Sequence, residues 1–378
     1  MSKAAKPKSK KVLLKQRRKL LLQVEEFAGL YEVSKSITST LKLSQVLRLI
    51  TKKACQIMKA KGCSLRLIHE HKKELVLQAH YGLNQRSHLR KGNIKIGQSI
   101  AGKVLQHRHY YISKDLFRDA RYQDRYIVRK ENFRSLLSVP LIEKGKTFGV
   151  LSSYSKHPNY FHREDAKLLS LFAAQAVVAI ANARLYEQAR ANYLGAIRFL
   201  SNALDAKDRY TAGHSERVAK IALHIALQMR LSDMQKDALQ YASYLHDLGK
   251  VSIDIHTLRK CGQLTKEEWR SIYKHPQIGV QIVSNIKALN NLVPIILHHH
   301  ARYAGGGYPD KNIKSENIPI GSRILAVADA FEAMISHRPY RKALSKDEAI
   351  CELKKCSGTQ FDPTVVNAFI KVKALSSN

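Results

Sequence analysis

Acidic side chains are few in this chain: 30 Asp and Glu stand against 65 Lys and Arg in 378 residues, a formal net charge of +35 at pH 7. Even so, 44% of the residues are hydrophobic, which excludes a chain kept open by charge over most of its length. Cysteine is sparse as well. Cys55, Cys63, Cys261, Cys351 and Cys356 are odd in number, scattered, and without a C-x-x-C pair, which excludes a disulfide framework and a zinc ribbon. A reducing cytoplasm is the expected setting. No stretch of 18 or more apolar residues occurs, so no membrane span is expected. The start of the chain carries Lys3, Lys6, Lys8, Lys10, Lys11, Lys15, Arg17, Arg18 and Lys19 without an uninterrupted apolar segment, unlike a secretory signal. RNA-recognition signatures, Cys/His fingers and a helix-turn-helix with a basic second helix are also lacking.

The length leaves room for two or three domains of roughly 100–200 residues each. Residues 1–20 read as a solvated basic arm, with attraction to anionic nucleotides as its main electrostatic consequence and nucleic-acid binding as the lesser one. A helical pattern then runs from about Leu20 to Met58, with Leu30, Val33, Ile37, Leu41, Val46, Leu49 and Ile50 at three- and four-residue steps. Short β-like runs follow at Ser64 to His69, Glu74 to His80, Tyr110 to Ile112, Ser135 to Ile142 and Phe148 to Tyr154. The last two flank a turn composition at Glu143 to Lys146. Between them lies a Gly-containing stretch from Gly97 to Gly102 that leads into Val104 and Leu105, and a helix starts near Arg163. Strands bracketed by helices describe an α+β domain with an antiparallel sheet over residues 21–185.

This region resembles a GAF domain, the small-molecule sensor fold. The resemblance rests on Gly97-Gln-Ser-Ile-Ala-Gly-Lys-Val, Asp119-Ala-Arg-Tyr, Arg134-Ser-Leu-Leu-Ser-Val-Pro-Leu, Phe148-Gly-Val-Leu-Ser and Ile180-Ala-Asn-Ala-Arg-Leu-Tyr. It implies a bound small molecule or a dimerisation scaffold, with the ligand unknown. Cys63, His69 and His107 are imaginable cofactor ligands, but a small core residue and surface imidazoles are the plainer reading. From Asp165 to Asp205 the pattern stays helical, with residues 186–204 as a connecting helix. Its apolar surface exceeds what one small domain covers, so a parallel homodimer seam is expected.

Residues 205–378 are patterned almost wholly as helix and are rich in His: His214, His224, His246, His256, His275, His298, His299, His300 and His337. Several sit beside carboxylates. His246-Asp247 are adjacent, so on a helix they point about 100° apart and suit a pair of metals with the Asp as bridge. His and carboxylate donors fit Fe, Mn or Zn rather than a thiolate-selected ion.

The order of motifs is similar to that of the HD-GYP domain, the HD-superfamily group of cyclic di-GMP phosphodiesterases. The motifs are Tyr210-Thr-Ala-Gly-His-Ser-Glu-Arg-Val, His246-Asp-Leu-Gly-Lys, Leu264-Thr-Lys-Glu-Glu-Trp, Lys274-His-Pro, His299-His300, Gly305-Gly-Gly-Tyr-Pro, Arg323-Ile-Leu-Ala-Val-Ala-Asp-Ala-Phe, Arg338-Pro-Tyr-Arg-Lys and Gly358-Thr-Gln-Phe-Asp-Pro. The resemblance implies an all-α helical bundle joined to the GAF-like domain by the connecting helix. It also implies metal ligands at His214, His246, Asp247, His275, His299, His300 and Asp329, holding two divalent ions, Fe or alternatively Mn. Two ions about 3.5–4 Å apart can activate hydroxide for attack on a phosphodiester. His246, Asp247 and Lys250 are the implied catalytic residues. Lys250, Gly307, Tyr308, Arg338 and Arg341 are the implied substrate contacts, with arginine forking a phosphate and lysine acting as a point charge.

The match has departures. The family usually reads H-H-E-x-x-D-G-x-G-Y-P, whereas Ala301 and Ala304 stand at the two acids here. Losing such acids can lower metal affinity or activity roughly 10–100-fold. Tyr210 stands where some members have Glu, favouring two metals over three, Asp254 replaces a proline, and Glu332 replaces an Asp. The expected function is hydrolysis of cyclic di-GMP, or a related cyclic dinucleotide, to linear pGpG or GMP under sensor control, with diguanylate cyclase domains as possible partners. The alternative is a weak or inactive metal-containing receptor or adaptor.

Overall fold

The computed structural model describes residues 42–69, 71–84, 92–205, 213–260, 262–337 and 342–375, without the side chains of 205 and 373–375. The basic arm, the start of the expected first helix, Tyr210, Cys261, Arg338 and Arg341 lie outside the described residues. The chain divides between Arg190 and Ala191 into two compact units.

In the first unit a helix α1 (Leu43–Ile57) precedes the strands β1 (Gly62–His69), β2 (Glu74–Tyr81) and β3 (Ile94–Lys95). Helix α2 (Ser99–His107), strand β4 (Tyr111–Ser113) and helix α3 (Arg125–Glu131) follow, then β5 (Ser135–Glu143), β6 (Lys146–Ser155) and the 43-residue helix α4 (Arg163–Asp205). The sheet order is β3-β2-β1-β6-β5-β4, with every pair antiparallel. This is the expected antiparallel α+β architecture.

Strand periodicity explains why both faces are covered. Cys63, Leu65, Leu67, Leu137, Val139, Leu141 and Leu151 face α1 and α4 in one core, whereas Leu75, Leu136, Val150 and Tyr154 join Ile100, Val104 and Phe133 in another. Helix α4 packs through Leu169, Phe172, Ala176 and Ile180 at three- and four-residue steps, and its alanines permit close approach to the sheet. It is long and apolar enough to cross a membrane by length and composition alone, but this stripe is core. The Gly97–Gly102 stretch holds a turn and a helix start. Gly97 has φ +81 and turns the chain, after which Ser99 opens α2.

The second unit is helical, as expected: α5 (His214–Gln228), α6 (Asp233–Leu245), α7 (Ile255–Arg259), α8 (Lys266–Tyr273), α9 (His275–Ser284), α10 (Val293–Leu297), α11 (Ile320–Ile335), α12 (Lys346–Lys355) and α13 (Pro363–Leu375). Short 3₁₀ turns occupy Leu248–Ser252, Lys287–Leu292 and Ser315–Asn317. Capping boxes at Ser232/Gln235, Thr265/Glu268 and Ser345/Glu348 start α6, α8 and α12, each satisfying two backbone donors that a helix start leaves open. The core joins Val218, Ala222 and Ile225 of α5, Leu239 and Ala242 of α6, Ile324, Leu325, Ala328 and Phe331 of α11, and Val365 and Phe369 of α13. The last part of α4 adds Ile197. Packing these apolar faces brings the histidine-bearing helix ends together.

Candidate metal centre

Each candidate ligand is set by a chain feature. Gly213, at φ +71, turns the backbone into α5 so that His214 is its first residue, and His246 is the C-cap of α6. Asp247 follows and leads into the 3₁₀ turn at Leu248, where Gly249 lies against the start of α9. A Cβ at Gly249 would come within 1.9 Å of the His275 carbonyl oxygen, so only glycine lets Asp247 and His275 approach. His299 and His300 follow α10, while Asp329 and Glu332 lie one turn apart on α11.

All seven expected ligands come together. Three groups of side chains have ligand atoms within 4.8 Å of one another: His214, His246 and Asp329; His275, His299 and His300; and His246, Asp247 and His299. Asp247 lies between the first two groups. Its Oδ2 is 3.5 Å from His246 Nε2 and its Oδ1 is 3.5 Å from His275 Nε2.

The proton positions follow from the hydrogen bonds. His246, His275 and His299 each place Nδ1 on the backbone carbonyl three residues earlier, at 2.9, 2.7 and 2.6 Å to Ser243, Ile272 and Ile296. A carbonyl only accepts, so each Nδ1 donates and each ring turns its Nε2 to the centre. His275 Nε2 and His299 Nε2 then face each other at 3.3 Å, and buried His246 Nε2 has no hydrogen-bond partner. Imidazole nitrogens converging with two carboxylates in a buried cluster are the donor set of a cation site, and these residues fit divalent ions.

His214 is held differently. Its Nδ1 bonds Glu332, and its Nε2 lies 3.2 Å from Asp329 Oδ1. Burial alone would lower its pKa, but the bonds to Asp329 and Glu332 outweigh burial and raise it to about 10. Burial opposes ionisation of Asp247 too, yet Lys250, with Nζ 2.6 Å from Oδ2, and the nearby imidazoles hold it well below the usual range. Asp329 is likewise lowered against burial by His214. His275 and His299 are pushed down chiefly by burial, and His300 falls to about 3 for the same reason.

A cleft of about 400 Å³ opens beside the cluster, lined among others by Tyr273, His299, His300, Gly307, Tyr308 and Asp329. Tyr308 stacks on His300 with centroids 4.6 Å apart. A Cβ on Gly307 would fall 2.5 Å from the His300 carbonyl oxygen, so the loop passes the cluster at backbone contact. Ala301 is buried in the cleft wall and Ala304 is exposed. His298 is half-buried, with Nδ1 unpartnered, and its pKa is lowered by burial.

Two features escaped the sequence reading. Glu332 stood there only as a replacement for Asp, although its i,i+3 spacing from Asp329 signals a shared helix face. Tyr273, at the edge of the cleft, carried no signal separable from a core aromatic.

Residues 198–365 match the HD domain family, and residues 40–181 match the GAF domain family. Over 179 residues the chain is 38% identical to a cyclic di-GMP phosphodiesterase of Thermotoga maritima, covering 47% of this chain and 48% of that protein. It is 32% identical over 209 residues to 3'3'-cGAMP-specific phosphodiesterase 2 of Vibrio cholerae serotype O1, covering 55% and 40%. The chain thus spans about half the length or less of these curated relatives. Among solved structures, a GAF domain from a phosphoenolpyruvate-protein phosphotransferase of Coxiella burnetii is 24% identical with a TM-score of 0.40, covering 43% of this chain and 96% of that one.

Proposed function

We propose that this chain, which joins a GAF domain to an HD domain, is a metal-dependent phosphodiesterase acting on cyclic di-GMP or a related cyclic dinucleotide. The observation that carries the reading is the convergence of Nε2 of His246 and His275 on the two oxygens of Asp247, with His299 in the same cluster. The relatives named as phosphodiesterases support the reaction class.

His214, His246, Asp247, His275, His299, His300 and Asp329 would hold two divalent ions, Fe or alternatively Mn. When bound, such ions supply the charge that lowers the pKa of a water and polarises a phosphoryl oxygen. The chain's own residues do the rest. Asp247 joins the two groups of ligands, and Lys250 holds its Oδ2 while leaving positive charge at the centre. Gly307 admits substrate to backbone distance, and Tyr308 closes one wall. Arg338 and Arg341 are proposed phosphate contacts, and the product is linear pGpG or GMP.

In this reading residues 1–20 are the arm, 21–185 the sensor, 186–204 the connecting helix and 205–378 the hydrolase. The protein works as a cytoplasmic homodimer under sensor control, with diguanylate cyclase domains as partners. A second reading, a receptor with negligible turnover, is favoured by Ala301, which puts a methyl group where the family has an acid at the cleft wall.

The test is metal content of protein prepared without chelator, with cyclic di-GMP followed by chromatography in added Fe(II) or Mn(II). About two metals per chain and a linear product, both lost in Asp247→Ala, are expected. Metal and nucleotide binding with no product under either ion would establish the receptor, and absence of both would remove the site.

A further inference from the structure

We propose that Trp269 and Tyr273 form a stacking platform for a nucleobase of the substrate, an inference that rests on the cyclic-dinucleotide reading of the cleft. Helix α8 is eight residues long and has no buried residue, so its aromatic pair does not fill a core. The two rings sit one turn apart, are each 44% exposed, and stack with centroids 5.4 Å apart and planes at 27°. Tyr273 meets Tyr308 at 4.6 Å, and Tyr308 stacks on His300 at 4.6 Å and 29°. Four rings therefore run as a ladder from the buried histidine cluster to the surface.

The inner three rings line the cleft beside Asp329 and Gly307. The helix has other supports: the Thr265/Glu268 capping box and the Lys260–Glu268 ion pair at 2.8 Å. Its outer aromatic faces are left to solvent, next to a site built for a phosphodiester. A purine fits such a face because base–aromatic stacking needs only a π surface. The platform reads planarity and not the base edge, so it accepts guanine and adenine alike.

Trp269 is the single tryptophan of the chain, so its emission reports on the outer rung in the intact chain. Titration with cyclic di-GMP is expected to quench it saturably, whereas dimethyl phosphate, which has no base, leaves it unchanged. Trp269→Leu and Tyr273→Leu each raise KM, or Kd by equilibrium dialysis, about tenfold with kcat retained, and Tyr273→Phe restores the wild-type value. Turnover with unaltered emission and unaltered KM in both leucine variants overturns the platform and leaves the phosphodiesterase reading standing. A fall in kcat confined to Tyr273→Leu also overturns it, since that marks an anchor for the Tyr308 loop. If the protein binds without turning over, weaker binding in Trp269→Leu supports the platform and equal binding overturns it. Neither binding nor turnover removes the cyclic-dinucleotide reading and the platform with it.

Discussion

Glu332 is where an imidazole, a guanidinium and a hydroxyl converge. It accepts from His214 Nδ1, from Arg217 Nε at 2.6 Å and from Ser336 Oγ at 2.7 Å. Burial disfavours its charge, yet these donors bring its pKa down to about 2, so it stays a carboxylate. Its effect on the centre is indirect: it holds His214 Nδ1 and turns Nε2 toward Asp329. Backbone carbonyls hold Nδ1 of His246, His275 and His299, whereas Nδ1 of His214 depends on a mutable side chain. Glu332→Gln is expected to lower metal affinity roughly 10–100-fold, read by metal content after dialysis against a graded chelator. Glu348→Gln, at the exposed start of α12, should leave metal content unchanged. Equal metal retention in both variants would show that His214 needs no such orientation.

At the scale of elements, one helix shows how far burial follows spacing. Phe172 of α4 is 1% exposed and Val178, on the other face, is 51% exposed. Phe172→Ala is expected to cost about 3–5 kcal/mol and Val178→Ala less than about 0.5 kcal/mol, read from denaturant midpoints of the first unit. Near-equal effects would place Val178 against a partner, as the proposed dimer seam requires. The same periodicity made much of the fold legible in sequence. β1, β2, β5 and β6 run for eight to ten residues, with β1, β5 and β6 buried along most of their length, long enough to read as strands between turn residues. The two-residue β3 carries no period, and the glycines around α2 hid a helix whose apolar residues are few. In the second unit His246-Asp247 and the ordered motifs pointed to the candidate ligands that the structure brings together, because paired His and Asp stand out from an apolar helical pattern. Tyr273 was not readable, since an aromatic on an amphipathic helix looks the same whether it packs a core or faces a cleft. Glu332 was half visible: its spacing from Asp329 was there, but its bond to His214 joins residues 118 apart, which no local pattern carries.

At the scale of the whole molecule, two units with separate cores are expected to unfold as separate cooperative blocks, and the candidate ligands all belong to the second. Buried carboxylates and crowded imidazoles in that cluster favour the unfolded state when no cation offsets them. An ion that binds only the folded unit adds RT ln(1 + [L]/Kd), about 2.7 kcal/mol at a hundredfold excess over Kd. Calorimetry of the full chain is therefore expected to show two transitions. Exhaustive dialysis against chelator should lower one of them by several degrees and leave the other in place, and Mn(II) or Fe(II) should restore it. The assignment is independent of the metal, because Phe172→Ala must shift the chelator-insensitive transition and Asp247→Ala must remove the metal response of the other. A chelator effect that survives in Asp247→Ala would mean that ions stabilise the chain elsewhere, and the bridging role of that carboxylate would be lost with it.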